Sequence, residues 1–242
     1  MIHSRIADHR NQQSLATKLR RRRFQVLRSM VEQVRGTVSV LDIGGRQQYW
    51  ESMGLDMVTQ NRLHVFLLNP EEQQVTLPNF AAIIGDGRYL SQFADKQFDI
   101  VFSNSTIEHV GSIEDQRSMA DEVRRVGKRY YVQTPNRYFP IEPHFVFPFF
   151  QFLPMSMRVW LVGHLSLGWA PKIDDAALAA SIIGSIRLMT RAEFAALFPD
   201  AVILDEKFCG MVKSFVAYTP ELIGAAPAEF AASGEARSHR AS

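Results

Sequence analysis

Five short stretches of the 242-residue sequence bring together residue types that can hold a ligand or move a proton. Asp42-Ile43-Gly44-Gly45 closes one apolar run, Asn69 a second, Gly85-Asp86-Gly87 a third, Ser103-Asn104-Ser105 a fourth and Thr134-Pro135-Asn136 a fifth. A glycine, having no Cβ, lets the backbone turn tightly and approach a bound molecule closely. Carboxylates and amides beside it supply the acceptors and donors that orient that molecule. Glu108-His109 follows the fourth stretch directly. An imidazole, with an unperturbed pKa of about 6.5, suits the removal of a proton at neutral pH. The plainer reading is that Glu108 and His109 only begin the next helix. His144, beyond the fifth stretch, is a second candidate base. The single cysteine, Cys209, rules out an internal disulfide framework and a cysteine-based zinc cluster. It is expected to pack between edge strands, and no metal site is expected.

The elements that must position these residues follow from the apolar pattern. VSVLDIGG (38–45), HVFLLNP (64–70), AAIIGDG (81–87), FDIVFSNS (98–105) and RYYVQTPN (129–136) are continuous apolar runs, not alternating ones. Such runs suit strands buried on both faces of a parallel sheet. Helix-compatible segments separate them, notably 112–126. The expectation is an α/β fold with a Rossmann-like, doubly wound sheet. AVILDEKF (201–208) and KSFVAYTP (213–220) follow a helix at Arg191–Phe198 and predict an antiparallel pair at the sheet edge. Residues 12–35 read as a helix with Leu15, Leu19, Val26, Met30 and Val34 on one stripe, ended by Gly36. In an open α/β sheet, ligands bind beyond the carboxyl ends of the strands. All five polar endings therefore line one edge.

Composition bounds the function classes. Hydrophobic residues are 46% and charged residues 21%, as in an ordinary globular domain. The expected organisation is one domain over 1–220, with a helical arm at 1–36, an apolar lid or insertion at 138–190 and a weakly ordered tail at 221–242. The arm holds nine basic residues against Asp8 and Glu32, so the rest of the chain is net acidic. That asymmetry fits a nucleic-acid or anionic-membrane contact, or a solvated helix face. No secretory h-region follows the N-terminal charges, and the expected compartment is cytoplasmic. The most apolar stretch, 138–171, is broken by Pro140, Pro143, Pro148 and Pro154 and carries Arg158. It does not read as a transmembrane span; peripheral membrane contact stays open.

With these residues in view, a resemblance can be stated. VLDIGG, GDGRYL, QFDIVFSNSTIEHV and YYVQTPN, in this order over about 37–136, resemble the motifs of class I S-adenosylmethionine-dependent methyltransferases. The segments RLMTRAEFAALFPDAVILDEKFCG and KSFVAYTP resemble that family's last helix and strand pair. The resemblance implies S-adenosyl-L-methionine as cofactor, with Gly44 and Gly45 beneath its methionine part. Asp42 would hold that loop or meet the amino group, and Asp86, with Gly87 beside it, would receive the adenine amino group. Ser103 and Asn104 would line the floor near the sulfonium. Two departures stand out: Arg46 and Gln48 occupy later glycine positions of the family loop, and Asn69 replaces the usual ribose-binding acid.

The implied reaction is methyl transfer to a small-molecule or glycan- or lipid-linked acceptor at oxygen, with His109 as base. An RNA methyltransferase using Arg20–Arg23 on phosphates, and a non-catalytic protein that kept the fold, remain as alternatives. An NAD reading expects a G-x-G-x-x-G loop and an acid in place of Asn69.

Overall fold

The computed structural model describes residues 25–53, 62–168 and 171–220. Leu15, Leu19, the Arg20–Arg23 cluster and the 221–242 tail lie outside the described residues, and so do the expectations placed on them.

Strands β1 (Val38–Ile43), β2 (Leu63–Asn69), β3 (Phe80–Ile84), β4 (Phe98–Asn104) and β5 (Gly127–Pro135) lie parallel, as expected. Strands β8 (Val202–Phe208) and β9 (Met211–Tyr218) form the antiparallel edge. The seven-stranded order is β3-β2-β1-β4-β5-β9-β8. The order reverses between β1 and β4, so the crevice beyond their carboxyl ends is the topological switch point. The fold is the Rossmann-like doubly wound sheet read from the sequence.

Because side chains alternate across a strand, each face of the sheet builds its own core. On one face Val38, Val40, Val65, Ile100 and Tyr131 pack against Val26, Leu27, Met30 and Val31 of helix α1 (25–32 among the described residues). Trp50 of α2 (Gln47–Met53) joins the same cluster. On the other face Leu41, Ile43, Val101 and Val132 pack against Met119, Ala120 and Val123 of α3 (Ile113–Val126). α1 stops earlier than expected, at residue 32. Arg62 takes over its open end, donating to the carbonyls of Val34 at 2.7 Å and Val31 at 3.4 Å. Basic donors at a helix C-terminus satisfy carbonyls that have no partner within the helix. Ser112 caps the start of α3 in a reciprocal box with Asp115.

The segment after β5 makes a core of its own. A short hairpin, β6 (Ile141–Glu142) and β7 (Phe147–Pro148), precedes α4 (Met155–His164) and α5 (Ala176–Gly184). Phe145, Phe150, Val162, Leu167, Ala179 and Ile183 are buried together there. Helix α6 (Arg191–Leu197) then leads into β8. Cys209 does not pack between strands: it is exposed, at φ +49° in the turn between β8 and β9. No helix among the described residues is long and apolar enough to cross a membrane.

Candidate active site at the switch point

The turn after β1 admits no side chains. Gly44 has φ +78°, and a Cβ there would lie 2.3 Å from Thr106 Oγ1. A Cβ on Gly45 would lie 1.7 Å from Asp42 Oδ2. Three hydrogen bonds with the ends of two strands, β2 and β4, brace this turn. Gly44 N–H donates to Leu68 O (2.8 Å), and Asn69 Nδ2 donates to Gly45 O (2.9 Å). Ser103 Oγ donates to Ile43 O at 3.2 Å from a fully buried position. Ser103 therefore sits under the turn and positions it, and the Asn69 amide does the same from β2. Asp42 is buried, with Trp50 Nε1 donating to its Oδ2 (2.7 Å) and its Oδ1 without a hydrogen-bond partner. Burial pushes the Asp42 pKa up to about 7 against the opposing pull of the Trp50 bond.

Asp86 and Gly87 form the next wall. A Cβ on Gly87 would lie 2.7 Å from Ile43 Cγ2, so this glycine allows the close approach of the loop to β1. Asp86 is gripped by Arg88, whose Nη2 lies 2.6 Å and Nε 3.0 Å from its Oδ2. Arg88 Nη1 continues to Asp115 Oδ1 at 2.8 Å, which ties the loop to the start of α3. The Arg88 hydrogen bonds hold the Asp86 carboxyl below the usual carboxylate range. The sequence singles out Asp86 and gives no sign of its partner Arg88. A residue two positions away in a loop carries no periodic signal.

Beyond β4 the chain tightens. Ser105 adopts φ +55°, uncommon for a residue with a side chain, and bonds Gln133 through both N–H (3.0 Å) and Oγ (2.8 Å). The following 3-10 turn, Ile107–His109, carries the acid and the imidazole. His109 N–H donates to Thr106 O at 2.8 Å. Since Thr106 also abuts Gly44, the histidine turn and the glycine turn are contiguous.

Glu108, His109, Glu142 and His144 meet here. Glu108 is fully buried; its Oε2 accepts from Thr134 Oγ1 (3.0 Å) and its Oε1 has no hydrogen-bond partner. Burial pushes its pKa up to about 7. His144 Nδ1 lies 2.6 Å from Glu142 Oε1, and Glu142 Oε2 accepts the backbone N–H groups of His144 (2.8 Å) and Phe145 (2.7 Å). Nε2 of His144 lies 3.0 Å from Nε2 of His109. Crowding of the His109 ring, although the residue's edge reaches solvent, lowers its pKa to about 4, and the neighbouring His144 adds to this. For His144, burial opposes the charged form, but the Glu142 bond and charge outweigh it and its pKa is raised. The two candidate bases of the sequence reading are thus side by side. Glu142 was missed, though its place two residues before His144 in Glu142-Pro143-His144 was visible.

A cavity of about 230 Å³ adjoins this cluster, with Glu142, Arg137, Arg158 and Arg187 in its wall. Arg158 Nε and Gln151 Oε1 are buried there without hydrogen-bond partners. Arg187 is fixed: its N–H donates to Glu108 O (2.8 Å) and its Nη1 to Gln116 Oε1 (2.7 Å). Gln116 Nε2 in turn donates to Ile107 O (3.1 Å) and Arg187 O (2.9 Å).

The residues of the β1 turn are compatible with the cofactor that the resemblance implies. Gly44 and Arg46 are exposed, while Tyr49 packs inward with its ring centroid 6.5 Å from Trp50 and 5.8 Å from Phe102. The unpartnered Asp42 Oδ1 is an acceptor of the kind an ammonium group satisfies.

Comparisons with known proteins agree with this geometry. Residues 36–130 match the methyltransferase domain family. An uncharacterized protein of Mycobacterium tuberculosis is 35% identical over 66 residues, which are 27% of this chain and 22% of that protein. The match thus spans about a fifth of that curated relative's length. Among solved structures, the CurJ carbon methyltransferase superposes with TM-score 0.52 at 12% identity, covering 86% of this chain and 56% of its own. The DszA carbon methyltransferase gives TM-score 0.50 at 13% identity, with 85% and 55% covered. Both show the fold. The strand order and the braced glycine turn agree with the methyltransferase domain that residues 36–130 match, and with the S-adenosyl-L-methionine that the resemblance implies as methyl donor.

Proposed function

We propose that the chain transfers a methyl group to an oxygen of a small-molecule or glycan- or lipid-linked acceptor, with residues 1–220 acting as one catalytic domain. The observation that carries this reading is the contact chain Gly44–Thr106–His109. The residue lying against the glycine turn is also the hydrogen-bond partner that holds the histidine turn. The cofactor supplies an electrophilic methyl carbon on a sulfonium. The chain's residues do the rest. The glycine turn, with Asp42 beneath it, seats the methionine part, and Asp86 with Gly87 and Asn104 complete the bed. The Glu108–His109–His144–Glu142 cluster receives the proton that an acceptor hydroxyl must lose, with His109 as its solvent-facing member.

The acceptor side is the 138–190 segment. Arg137 and Arg158 against the single carboxylate Glu142 in the cavity wall support an acceptor that carries an acidic group, the third arginine there, Arg187, being ion-paired with Glu193. Exposed Phe149, Phe152, Met157 and Trp160 nearby in sequence support an acceptor attached to a lipid.

The test is turnover of S-adenosyl-L-methionine to its homocysteine product with fractionated small-molecule and lipid-linked acceptors. Product analysis then assigns the methylated atom. His109→Ala is expected to lower turnover roughly a hundredfold or more while leaving binding of S-adenosylhomocysteine intact. Salt-sensitive retention and methylation of RNA, with small acceptors inert, would overturn the acceptor class.

A further inference from the structure

Two imidazole nitrogens face each other at 3.0 Å, and beside them lies a buried carboxylate whose Oε1 has no hydrogen-bond partner, so three ligand-type groups meet in one place. His144 is committed at Nδ1 to Glu142 Oε1, 2.6 Å away. If that bond uses the Nδ1–H of a neutral ring, the His144 Nε2 lone pair points at His109 Nε2. Two lone pairs at that separation repel unless a proton or a cation lies between or beside them. A carboxylate oxygen of Glu108 and one ring nitrogen from each of His109 and His144 all lie within 4.8 Å of one another.

We propose that Glu108, His109 and His144 form a binding site for a divalent transition-metal cation. Two imidazoles and one carboxylate suit Zn²⁺, Mn²⁺, Fe²⁺ or Co²⁺ and do not suit the all-oxygen preference of Ca²⁺ or Mg²⁺. An ion about 2.1 Å from each nitrogen would see the pair at close to a right angle, as two neighbouring positions of an octahedron do. The supporting contacts of a metal centre are already in place. Glu142 buttresses the ring nitrogen of His144 remote from the ion, which fixes the tautomer that leaves Nε2 free to ligate. Thr134 holds one oxygen of Glu108 while Glu108 Oε1 has no partner of its own. Glu108 is fully buried and His109 is exposed, so the ligands form a half-open set with coordination positions facing solvent.

The proposal deepens the methyl-transfer reading and rests on it for its role. With the cation present, His109 is a ligand instead of a free base. An acceptor hydroxyl that replaces a water on the cation is made more acidic and loses its proton to solvent. Its oxygen pair forms the new C–O bond, and the pair of the breaking S–CH₃ bond stays on sulfur.

The experiment uses the full chain, purified with any affinity tag removed, stripped with a chelator and dialysed. Calorimetric titration with ZnCl₂ and with MnCl₂ is expected to show about one ion per chain. Co²⁺ titration is expected to give visible d–d absorption. His144→Ala and exposed-site His109→Ala should each abolish binding or weaken it at least tenfold, and Glu142→Gln should weaken it about 10- to 100-fold. Calorimetry with S-adenosylhomocysteine on the same samples reports whether each variant is folded. A stripped wild type that binds S-adenosylhomocysteine but none of the three cations overturns the site and leaves the methyltransferase reading standing. Equal metal affinity in wild type and both histidine variants also overturns it. Metal binding lost in the histidine variants, in a chain that never binds S-adenosylhomocysteine, supports the site and removes the methyl-transfer reading.

Discussion

Asn69 donates its side-chain amide to the carbonyl of Gly45 at 2.9 Å, and its own carbonyl receives the N–H of Gly85 at 2.9 Å. One residue at the end of β2 therefore ties together the loops after β1, β2 and β3. A carboxylate at this position could not make the first of these bonds, because it cannot donate to a carbonyl.

Asn69→Asp, the substitution that restores the family acid, is expected to destabilise the fold by about 1 kcal/mol through loss of this bond. It should weaken binding of S-adenosylhomocysteine instead of improving it. Urea unfolding and calorimetry check both parts. Tighter binding would show that Asn69 acts on the ribose and not on the turn.

Gly45→Ala places a methyl group 1.7 Å from Asp42 Oδ2, far inside any real contact. Asp42 is buried and bonded to Trp50, so it has nowhere to retreat. The expected cost is roughly 1–3 kcal/mol of overpacking, with cofactor binding reduced at least tenfold. Indole fluorescence of the variant should report the disturbed Trp50.

The raised pKa of Asp42 makes a pH prediction. Its folded value, about 7, lies above an unfolded value near 3.8. The folded state therefore binds the proton more tightly, and the favourable contribution is complete below the unfolded value. It is lost as pH rises toward the folded value. Asp42→Asn carries no such loss and keeps an oxygen for Trp50. Between about pH 4 and pH 8 the variant should gain on the wild type by an amount on the order of 4 kcal/mol. Glu108 has a similar raised pKa but is the same in both proteins and cancels from the comparison. A stability difference that stays flat with pH would mean that Asp42 is ionised throughout.

Asp86→Ala should weaken S-adenosylhomocysteine binding by about 1.5–3 kcal/mol if the carboxylate receives the adenine amino group. Arg88→Ala leaves that carboxylate in place but frees it from the 2.6 Å bond, so its effect should be smaller. Equal losses in the two variants would assign Asp86 a bracing role only.

The sheet was legible in the sequence because its strands are buried on both faces and read as unbroken apolar runs. The boundaries of β1, β2 and β4 moved by only one or two residues. The glycine turn was legible because a positive φ and contacts below 3 Å leave glycine as the residue that fits. What stayed hidden was which polar groups spend their hydrogen bonds on the scaffold. Ser103 and Asn69 stand at strand ends as expected of ligand contacts, and each also donates to the β1 turn, which the sequence does not show. The Glu142–His144–His109 line depends on a chain reversal through β6 and β7, two-residue strands too short to leave a pattern. Cys209 was misplaced because the tight β8–β9 connection turns on Cys209 and Gly210, both at positive φ, at the solvent end of the hairpin.

The amide of Gln116, fully buried, joins the carbonyls of Ile107 and Arg187 while its oxygen receives Arg187. At the other side Arg137 N–H holds Met189 O at 3.0 Å. Both feet of the 138–190 segment are thereby riveted to the frame that carries Glu108. Shifting either foot must first rupture buried polar contacts. The ground beside Glu108 is thereby a standing contour against which the methyl recipient would be selected.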